Sequence, residues 1–314
     1  MFAAGFAIPG CRKRKPTETA ERTDGEIMKP IIKYRGGKSK EIREFESLIP
    51  QDYDRYIEPF FGGGAVFFFL EPGRALINDI NHRLMSFYRQ VRDAYPALRR
   101  ELAALSAVYE ENQRDFASLR AMEPDPDIRV ENRNEALYYR LRDMYNHLIP
   151  PEYMEGTLYY FINKTAYSGM LRFNSQGEYN VPFGRYAHFN TQIITPQHSG
   201  LLKGAELFSE DYSGVFERAG EGDFMFLDPP YDCTFNDYGN LDMQNGFDEE
   251  QHRRLAADFR NLNCRALMVI GRTPLTQELY GDKIVHVYEK RYSVNIRNRF
   301  SADAAHIVVA NYRL

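Results

Sequence analysis

The chain has no tryptophan and only three cysteines, Cys11, Cys233 and Cys264, in 314 residues. These cysteines lie far apart with no C-x-x-C spacing. Neither a disulfide framework nor a zinc site is indicated, and a reducing cytoplasm is the expected setting. Long apolar runs are missing as well. No stretch of about 18 apolar residues occurs, so no membrane-spanning helix is expected and the chain reads as soluble. The apolar start, Met1 to Cys11, lacks a basic n-region and a full-length apolar core, which argues against a secretion signal. Excess positive charge is also absent, the formal net charge being -4. That excludes a generally basic, sticky nucleic-acid binder, although one basic face is enough to steer a polyanion.

What is present is an ordinary globular composition, 43% hydrophobic, sufficient for one large core or two smaller ones. Residues 1–28 carry Arg12-Lys13-Arg14-Lys15 and then an aperiodic polar stretch, which reads as a disordered leader. Patterned sequence begins near Pro30 and soon reaches Gly36-Gly37-Lys38-Ser39. This is not a P-loop, because G-x-x-x-x-G-K-[ST] needs glycine where Ile32 stands. A glycine pair allowing close backbone approach remains, with a lysine able to pair with a carboxylate or phosphate. A helix is expected over 38–48, with Ile42, Phe45 and Leu48 on one face.

Residues 55–70 read as strand, glycine-rich turn (Phe60 to Gly64) and apolar helix, a nucleotide-binding layout. The G-x-G-x-x-G fingerprint is not met, and Glu58 in front of the turn would repel a pyrophosphate. A cationic ligand suits the loop better than a dinucleotide. A second strand at 75–81 contains Asp79, placed either for a ribose hydroxyl or as the N-cap of the next helix. Residues 83–149 are helical and charged, broken by a loop at 124–127, and Arg129, Arg133, Arg140 and Arg142 read chiefly as a solvated face. After an apolar helix at 157–164, two short alternating runs flank Asn174-Ser175-Gln176-Gly177 and predict a β-hairpin, with Arg172 and Arg185 beside aromatics.

The α/β pattern then resumes. One strand ends at the acid Asp211, and the apolar run Phe224 to Leu227 leads into Asp228-Pro229-Pro230-Tyr231. A polar loop at 236–246, expected to be mobile, a helix at 248–261 and strands at 266–270, 284–288 and 306–310 complete the chain. The two prolines after Asp228 remove backbone donors and leave carbonyl acceptors beside a carboxylate and a flat ring. Such a turn suits a planar base bearing an amino group.

In this order, segments 33–38, 58–66, 78–81, 167–172, 180–186 and 228–231 resemble the Dam-type, D12 class DNA adenine-N6 methyltransferases, over about residues 29–314. The resemblance implies an α/β fold: a Rossmann-like S-adenosylmethionine-dependent methyltransferase sheet with helices on both faces, interrupted by a mostly helical target-recognition insertion ending in a β-hairpin. Residues 29–82 and 195–314 would form the catalytic domain, and 83–194 the DNA-binding one. It also implies S-adenosylmethionine as cofactor, with Tyr34 and Lys38 at its amino-acid end. Glu58 and, beneath the cofactor, Phe60, Gly62 and Gly64 complete that site with Asp79 on the ribose and Asp211 on the adenine amino group.

The implied substrate is an adenine flipped from double-stranded DNA. Its two N6 hydrogens would meet Asp228 and the Pro229 carbonyl, with Pro230 completing the stiff turn and Tyr231 stacking on the ring. Lys33, Tyr167, Met170, Arg172, Pro182 and Arg185 would contact DNA, Arg172 and Lys33 being suited to guanine, as in a GATC-like site. No metal, membrane or obligatory protein partner is expected, and the location would be cytoplasmic, on the nucleoid. Two rival readings are methylation of RNA or a protein amide, and a DNA-binding regulator with an inactive methyltransferase fold. Two positions depart from the family pattern: Ser168 stands where asparagine is frequent, and His306, read as a packed or surface histidine, stands where an acid is common.

Overall fold

The computed structural model describes residues 27–123, 125, 127–231, 247–290 and 304–314. The expected leader up to residue 26, Pro124, Pro126 and the polar loop at 236–246 lie outside the described residues.

Short apolar runs form the strands: β1 (Tyr56–Glu58), β2 (Ala75–Asn78), β3 (Ala205–Phe208), β4 (Phe224–Leu227), β5 (Arg265–Gly271), β6 (Ile284–Lys290) and β7 (Ala304–Ala310). They make one seven-stranded sheet in the order β3-β2-β1-β4-β5-β7-β6. β1 to β5 pair in parallel, and β7 runs antiparallel to both β5 and β6. Within unbroken apolar strings, alternate side chains serve opposite faces. Tyr56, Ile77, Phe224, Phe226 and Val269 belong to one buried cluster, whereas Ile57, Leu76, Met225, Leu227 and Met268 belong to the other. Burial on both faces is why these strands lack a polar alternation. Each fully buried large side chain contributes roughly 1.5–3 kcal/mol.

The helices are α1 (Ala65–Leu70), α2 (His82–Asp93), α3 (Tyr95–Met122), α4 (Arg133–Tyr145), α5 (Glu155–Thr165), α6 (Pro196–Leu202), α7 (Tyr212–Phe216), α8 (Glu249–Arg260) and α9 (Pro274–Tyr280). Residues of α1 to α6 join the cluster on the first sheet face, and those of α7 to α9 join the second. Helices therefore cover both faces, as expected of the α/β class. Helices α2 to α6 all lie between β2 and β3 in sequence, and Leu98, Leu102, Tyr138, Leu141 and Phe161 from α3, α4 and α5 share one continuous apolar cluster with the sheet. No helix among the described residues is long and apolar enough to cross a membrane.

Two local expectations are corrected. Residues 38–48 form not one α-helix but three successive 3-10 turns, Lys38–Lys40, Ile42–Glu44 and Glu46–Leu48. Ile42, Phe45 and Leu48 recur every third residue, a spacing that a 3-10 helix also keeps on one face. Phe45 stacks on Phe226 of β4 at 5.5 Å, which pins this segment against the sheet. The predicted hairpin has only two isolated bridges, Ala166 with Phe183 and Phe173 with Tyr179. The Asn174 side chain takes the backbone N–H groups of Gln176 and Glu178 at 3.0 and 2.9 Å and closes the turn, while Asn174 N donates to Glu178 O at 2.8 Å and Asn180 N to Arg172 O at 3.1 Å across it.

The topology fixes where a site can form. From β1 the chain moves outward through β2 to β3, then returns to place β4 on the other side of β1. The carboxyl ends of β1 and β4 flank this switch point, where an open α/β sheet offers a crevice. Asn78, buried at the end of β2, ties the neighbouring strand ends together. Its Nδ2 donates to the carbonyls of Pro59 and Glu210 at 3.0 Å each, and its Oδ1 accepts from Glu210 N at 3.0 Å. Asn78→Ala strands buried backbone groups at three points and is expected to cost about 2–4 kcal/mol, read from urea unfolding.

Candidate active site

A cavity of about 870 Å3, its open mouth included, lies at the switch point. Every residue assigned from sequence to the cofactor or to chemistry lines it: Tyr34, Lys38, Glu58, Phe60, Gly62, Gly64, Asp79, Asp211 and Asp228 through Tyr231. The six candidate DNA contacts lie outside its lining.

The glycine loop is shaped by what covers it. Gly62 has φ +47°, and a Cβ there would sit 2.6 Å from the Tyr34 ring; Gly64 has φ +65°, and its Cβ would sit 2.5 Å from Phe61. Both positions require glycine on conformation and on space. Asp79 holds the loop from below, accepting from Gly62 N at 2.8 Å and from Asn81 N at 2.9 Å. The N-cap of α2 is Asn81, whose side chain accepts from Leu84 N, so the N-cap reading of Asp79 is corrected. The carboxylate at the end of β2 shapes the turn into the helix and faces the cavity.

The acids do not add up to four negative charges. Burial pushes the Glu58 carboxyl well above the usual range and so disfavours its charged form, against the opposing hydrogen bond from Tyr56 Oη at 2.7 Å. Burial likewise pushes Asp79 up to about 6, the N–H groups of Asn81 and Gly62 holding it from rising further. Burial would raise Asp211 too, but hydrogen bonds from Ser213 and the Arg254 guanidinium outweigh it and hold that carboxyl below its ordinary value. Arg254 reaches Asp211 Oδ1 at 2.9 Å and lies over the Tyr212 ring. The cavity is thus milder in field than its acid count suggests.

Lys38 is the largest departure. Expected to face a ligand carboxylate, its ammonium is 1% exposed and lies 2.5 Å from Asp228 Oδ1. It also donates to Tyr231 Oη at 2.7 Å and to the Gly36 carbonyl at 3.0 Å. A buried ammonium must be paired, and the carboxylate within reach belongs to the Asp-Pro-Pro-Tyr turn. The lysine that opens the first 3-10 segment therefore sets the orientation of the Asp228 and Tyr231 side chains of that turn.

The loop carrying the candidate DNA contacts packs beside the segment leading to Lys38. Lys33 and Asn163 exchange two hydrogen bonds, Lys33 N to Asn163 Oδ1 at 2.9 Å and Asn163 Nδ2 to Lys33 O at 2.7 Å. The Lys33 ammonium stands 4.0 Å from the centre of the Tyr186 ring. Tyr167 N donates to Pro182 O at 2.9 Å, which joins the two strands of this loop. Lys33, Tyr167, Arg172, Pro182 and Arg185 are exposed, and Met170 is half-buried. Arg172 is steered by Asn180, donating to its Oδ1 at 2.8 Å. Ser168 has φ 54°, a left-handed conformation that asparagine adopts more readily than serine. Arg129, Arg133, Arg140 and Arg142 are each ion-paired with an acid, in keeping with a solvated face.

A model of the D12 class N6 adenine-specific DNA methyltransferase family matches residues 34–296. The chain belongs to this family. It is 33% identical to the type II methyltransferase M.CviBI of Paramecium bursaria Chlorella virus NC1A, over 91% of this chain and 100% of the relative. It is 31% identical to the type II methyltransferase M.MjaIII of Methanocaldococcus jannaschii, over 81% of this chain and 87% of that one. The DNA adenine methylase of Escherichia coli K12 is 28% identical, over 84% of this chain and 88% of its own.

Three site features of this D12 methyltransferase escaped the sequence. The Arg254 pairing with Asp211 joins residues 43 positions apart, with no spacing rule to connect them. Tyr56 lies on β1 itself, two residues before Glu58, where its hydroxyl reads as core. His306 is buried against Glu41 at 2.8 Å, which settles it as a packed histidine.

Asp79 gives the site a pH signature. Its pKa is higher in the fold than in the unfolded chain, so the folded state holds the proton longer. This group favours folding below about pH 4, and its contribution is lost as pH rises through about 6, amounting to about 3 kcal/mol. Urea unfolding of the ligand-free protein between pH 4 and 7 is expected to show this decline in wild type relative to Asp79→Asn, which removes the titration.

Proposed function

We propose that this enzyme transfers a methyl group from S-adenosylmethionine to N6 of an adenine flipped out of double-stranded DNA. The observation that carries the reading is the Lys38–Asp228–Tyr231 constellation at the edge of the cavity. It presents a fixed carboxylate and a fixed ring at the point where the sheet opens.

The cavity fits the cofactor in kind. A glycine-lined floor admits close approach, and Asp79 faces the cavity with a pKa that hydroxyl donors would lower. Phe60, packed at 5.4 Å from Tyr212, offers an aromatic wall near Asp211. On this reading Tyr34, Glu58, Phe60, Gly62, Gly64, Asp79 and Asp211 hold the cofactor, which supplies an electrophilic methyl group when bound. Lys38 lines the same cavity but acts chiefly on the catalytic turn.

The remaining steps belong to the chain's own residues. Asp228 and the Pro229 carbonyl accept the two N6 hydrogens, which turns the nitrogen lone pair toward the cavity. Lys38 grips one carboxylate oxygen and so fixes the plane in which the other group is received. Tyr231 supplies a stacking face, its hydroxyl anchored by the same ammonium. Alignment of this kind accounts for much of the barrier reduction in a direct displacement and needs no covalent enzyme intermediate. An adenine inside a duplex cannot reach such a turn, which is why flipping is part of the proposal.

Residues 83–194 form the target-recognition region in this reading. Lys33, Tyr167, Met170, Arg172, Pro182 and Arg185 face the duplex, with Arg172, held by Asn180, suited to guanine O6 and N7. A GATC-like site follows. The enzyme works on DNA in the cytoplasm.

Two outcomes check these assignments. Asp228→Asn keeps the side-chain volume beside Lys38 and is expected to lower transfer of tritiated methyl to duplex DNA on the order of 10^3-fold or more. Wild-type turnover by that variant would sink the mechanism, as would labelling confined to RNA or protein. Asp228→Ala is less clean, because it leaves the buried Lys38 charge unpaired and is expected to lose about 3–5 kcal/mol of stability. For sequence choice, DNA treated with wild type is expected to resist digestion at GATC by a methylation-sensitive nuclease. Arg172→Ala is expected to relax discrimination at one guanine by about 1–3 kcal/mol. Unchanged cutting at every GATC dismisses the site.

A further inference from the structure

Behind the catalytic turn lies a buried polar group that the mechanism above does not use. Glu41, 6% exposed, accepts on Oε2 from Tyr288 Oη at 2.7 Å, and His306 Nδ1 lies 2.8 Å from the same oxygen. His306, 1% exposed, turns its ring against Tyr231, with centroids 5.1 Å apart and planes at 72°. Tyr288 packs on the same imidazole at 5.5 Å and 71°. The Tyr231 ring is therefore bounded on one side by the His306 ring and tied at its hydroxyl by Lys38.

The two restraints share one origin. Lys38 and Glu41 open and close the same 3-10 turn, with Glu41 N donating to Lys38 O at 2.7 Å. Residues three apart in a 3-10 turn lie on one face, so this turn sends an ammonium toward Asp228 and Tyr231 and a carboxylate toward His306. The imidazole can rotate about two side-chain bonds. The Glu41 contact at Nδ1 fixes that rotation, and an edge-to-face aromatic contact is favourable when so held.

We propose that His306 and Glu41 are positioning residues for methyl transfer: Glu41 fixes the plane of the His306 ring, and that ring, packed edge to face with Tyr231, seats Tyr231 at the angle needed to stack on the target base. The inference rests on the reading of Tyr231 as the stacking residue. It assigns no proton transfer to His306 and no contact with substrate.

The test uses the full-length protein and a duplex oligonucleotide carrying one GATC site, or the site found by mapping methylated adenines, with 2-aminopurine replacing the target adenine for fluorescence. His306→Asn retains a donor near the Nδ1 position but removes the ring edge. Its single-turnover methylation rate on the unmodified duplex is expected to fall on the order of 10- to 100-fold, the scale of a reacting group misplaced by about 1 Å. Binding of S-adenosylmethionine and of DNA stays within about twofold, and bound 2-aminopurine becomes brighter because Tyr231 stacks on it less well. His306→Phe restores a ring beside Tyr231 but not the tether to Glu41, and is expected to recover part of the lost rate. An unimpaired His306→Asn, equal losses in both variants, or a loss matched by weaker cofactor binding with unchanged fluorescence overturns the proposal. Should His306→Asn fail to fold, Glu41→Gln leaves the ring in place and weakens only its tether. A severalfold drop with a brighter probe then supports the proposal, and a wild-type rate overturns it. Wild type run alongside separates the two levels: no adenine methylation by wild type defeats the functional reading, whereas active wild type with an equally active His306→Asn defeats this inference alone.

Discussion

The contact on which the active site depends is the buried pair between Lys38 and Asp228. An ammonium at 1% exposure is tolerable only with a carboxylate and further acceptors around it, and here Asp228, Tyr231 and the Gly36 carbonyl provide them. The consequence reaches in both directions along the chain. The segment before β1 has no strand of its own in the sheet, yet its lysine locates the turn after β4. Conversely, the turn holds that segment against the cavity, with Phe45 stacked on Phe226 beneath it. The chemical turn is preassembled by a charge pair rather than by loop stiffness alone. The prolines limit backbone freedom; the lysine chooses among the remaining side-chain orientations.

This pairing also changes how the cavity attracts ligands. Burial disfavours the charged form of Glu58, Asp228 is compensated by Lys38, and Asp211 is compensated by Arg254. Burial brings Asp79 up to about 6. Selectivity then falls to shape and to directed acceptors more than to a general negative field. Such a site can admit a charged small molecule without drawing in every cation, since field strength follows net and not formal charge.

Much of this was legible in the residues. The strands are continuous apolar strings followed by glycine, acid or proline, and their order in sequence places their carboxyl ends together once the sheet is parallel. That is why Glu58, Asp79, Asp211 and Asp228 were recognisable as neighbours before any coordinates. Three things were not legible. The period-three spacing of Ile42, Phe45 and Leu48 is shared by α- and 3-10 helices over a span this short, so the helix type was misjudged. The partner of Lys38 depends on which carboxylate is nearest after folding, and no local pattern encodes a contact across 190 positions. The hairpin expectation located the turn at Asn174 but not the length of its ladder, which is limited to isolated bridges.

β7, the antiparallel strand inserted between β5 and β6, carries His306 to within 2.8 Å of Glu41, a separation of 265 positions along the chain. Contacts of that span are slow to find and close late, since the loop entropy must be overcome before they are rewarded. The site is therefore completed in stages. During synthesis the cavity walls from β1 and β2 can form early, while the contact of His306 with Tyr231 waits for β7, the last strand among the described residues, to emerge. A nascent chain would pass through a stage with those walls in place and the Asp-Pro-Pro-Tyr turn not yet backed by β7.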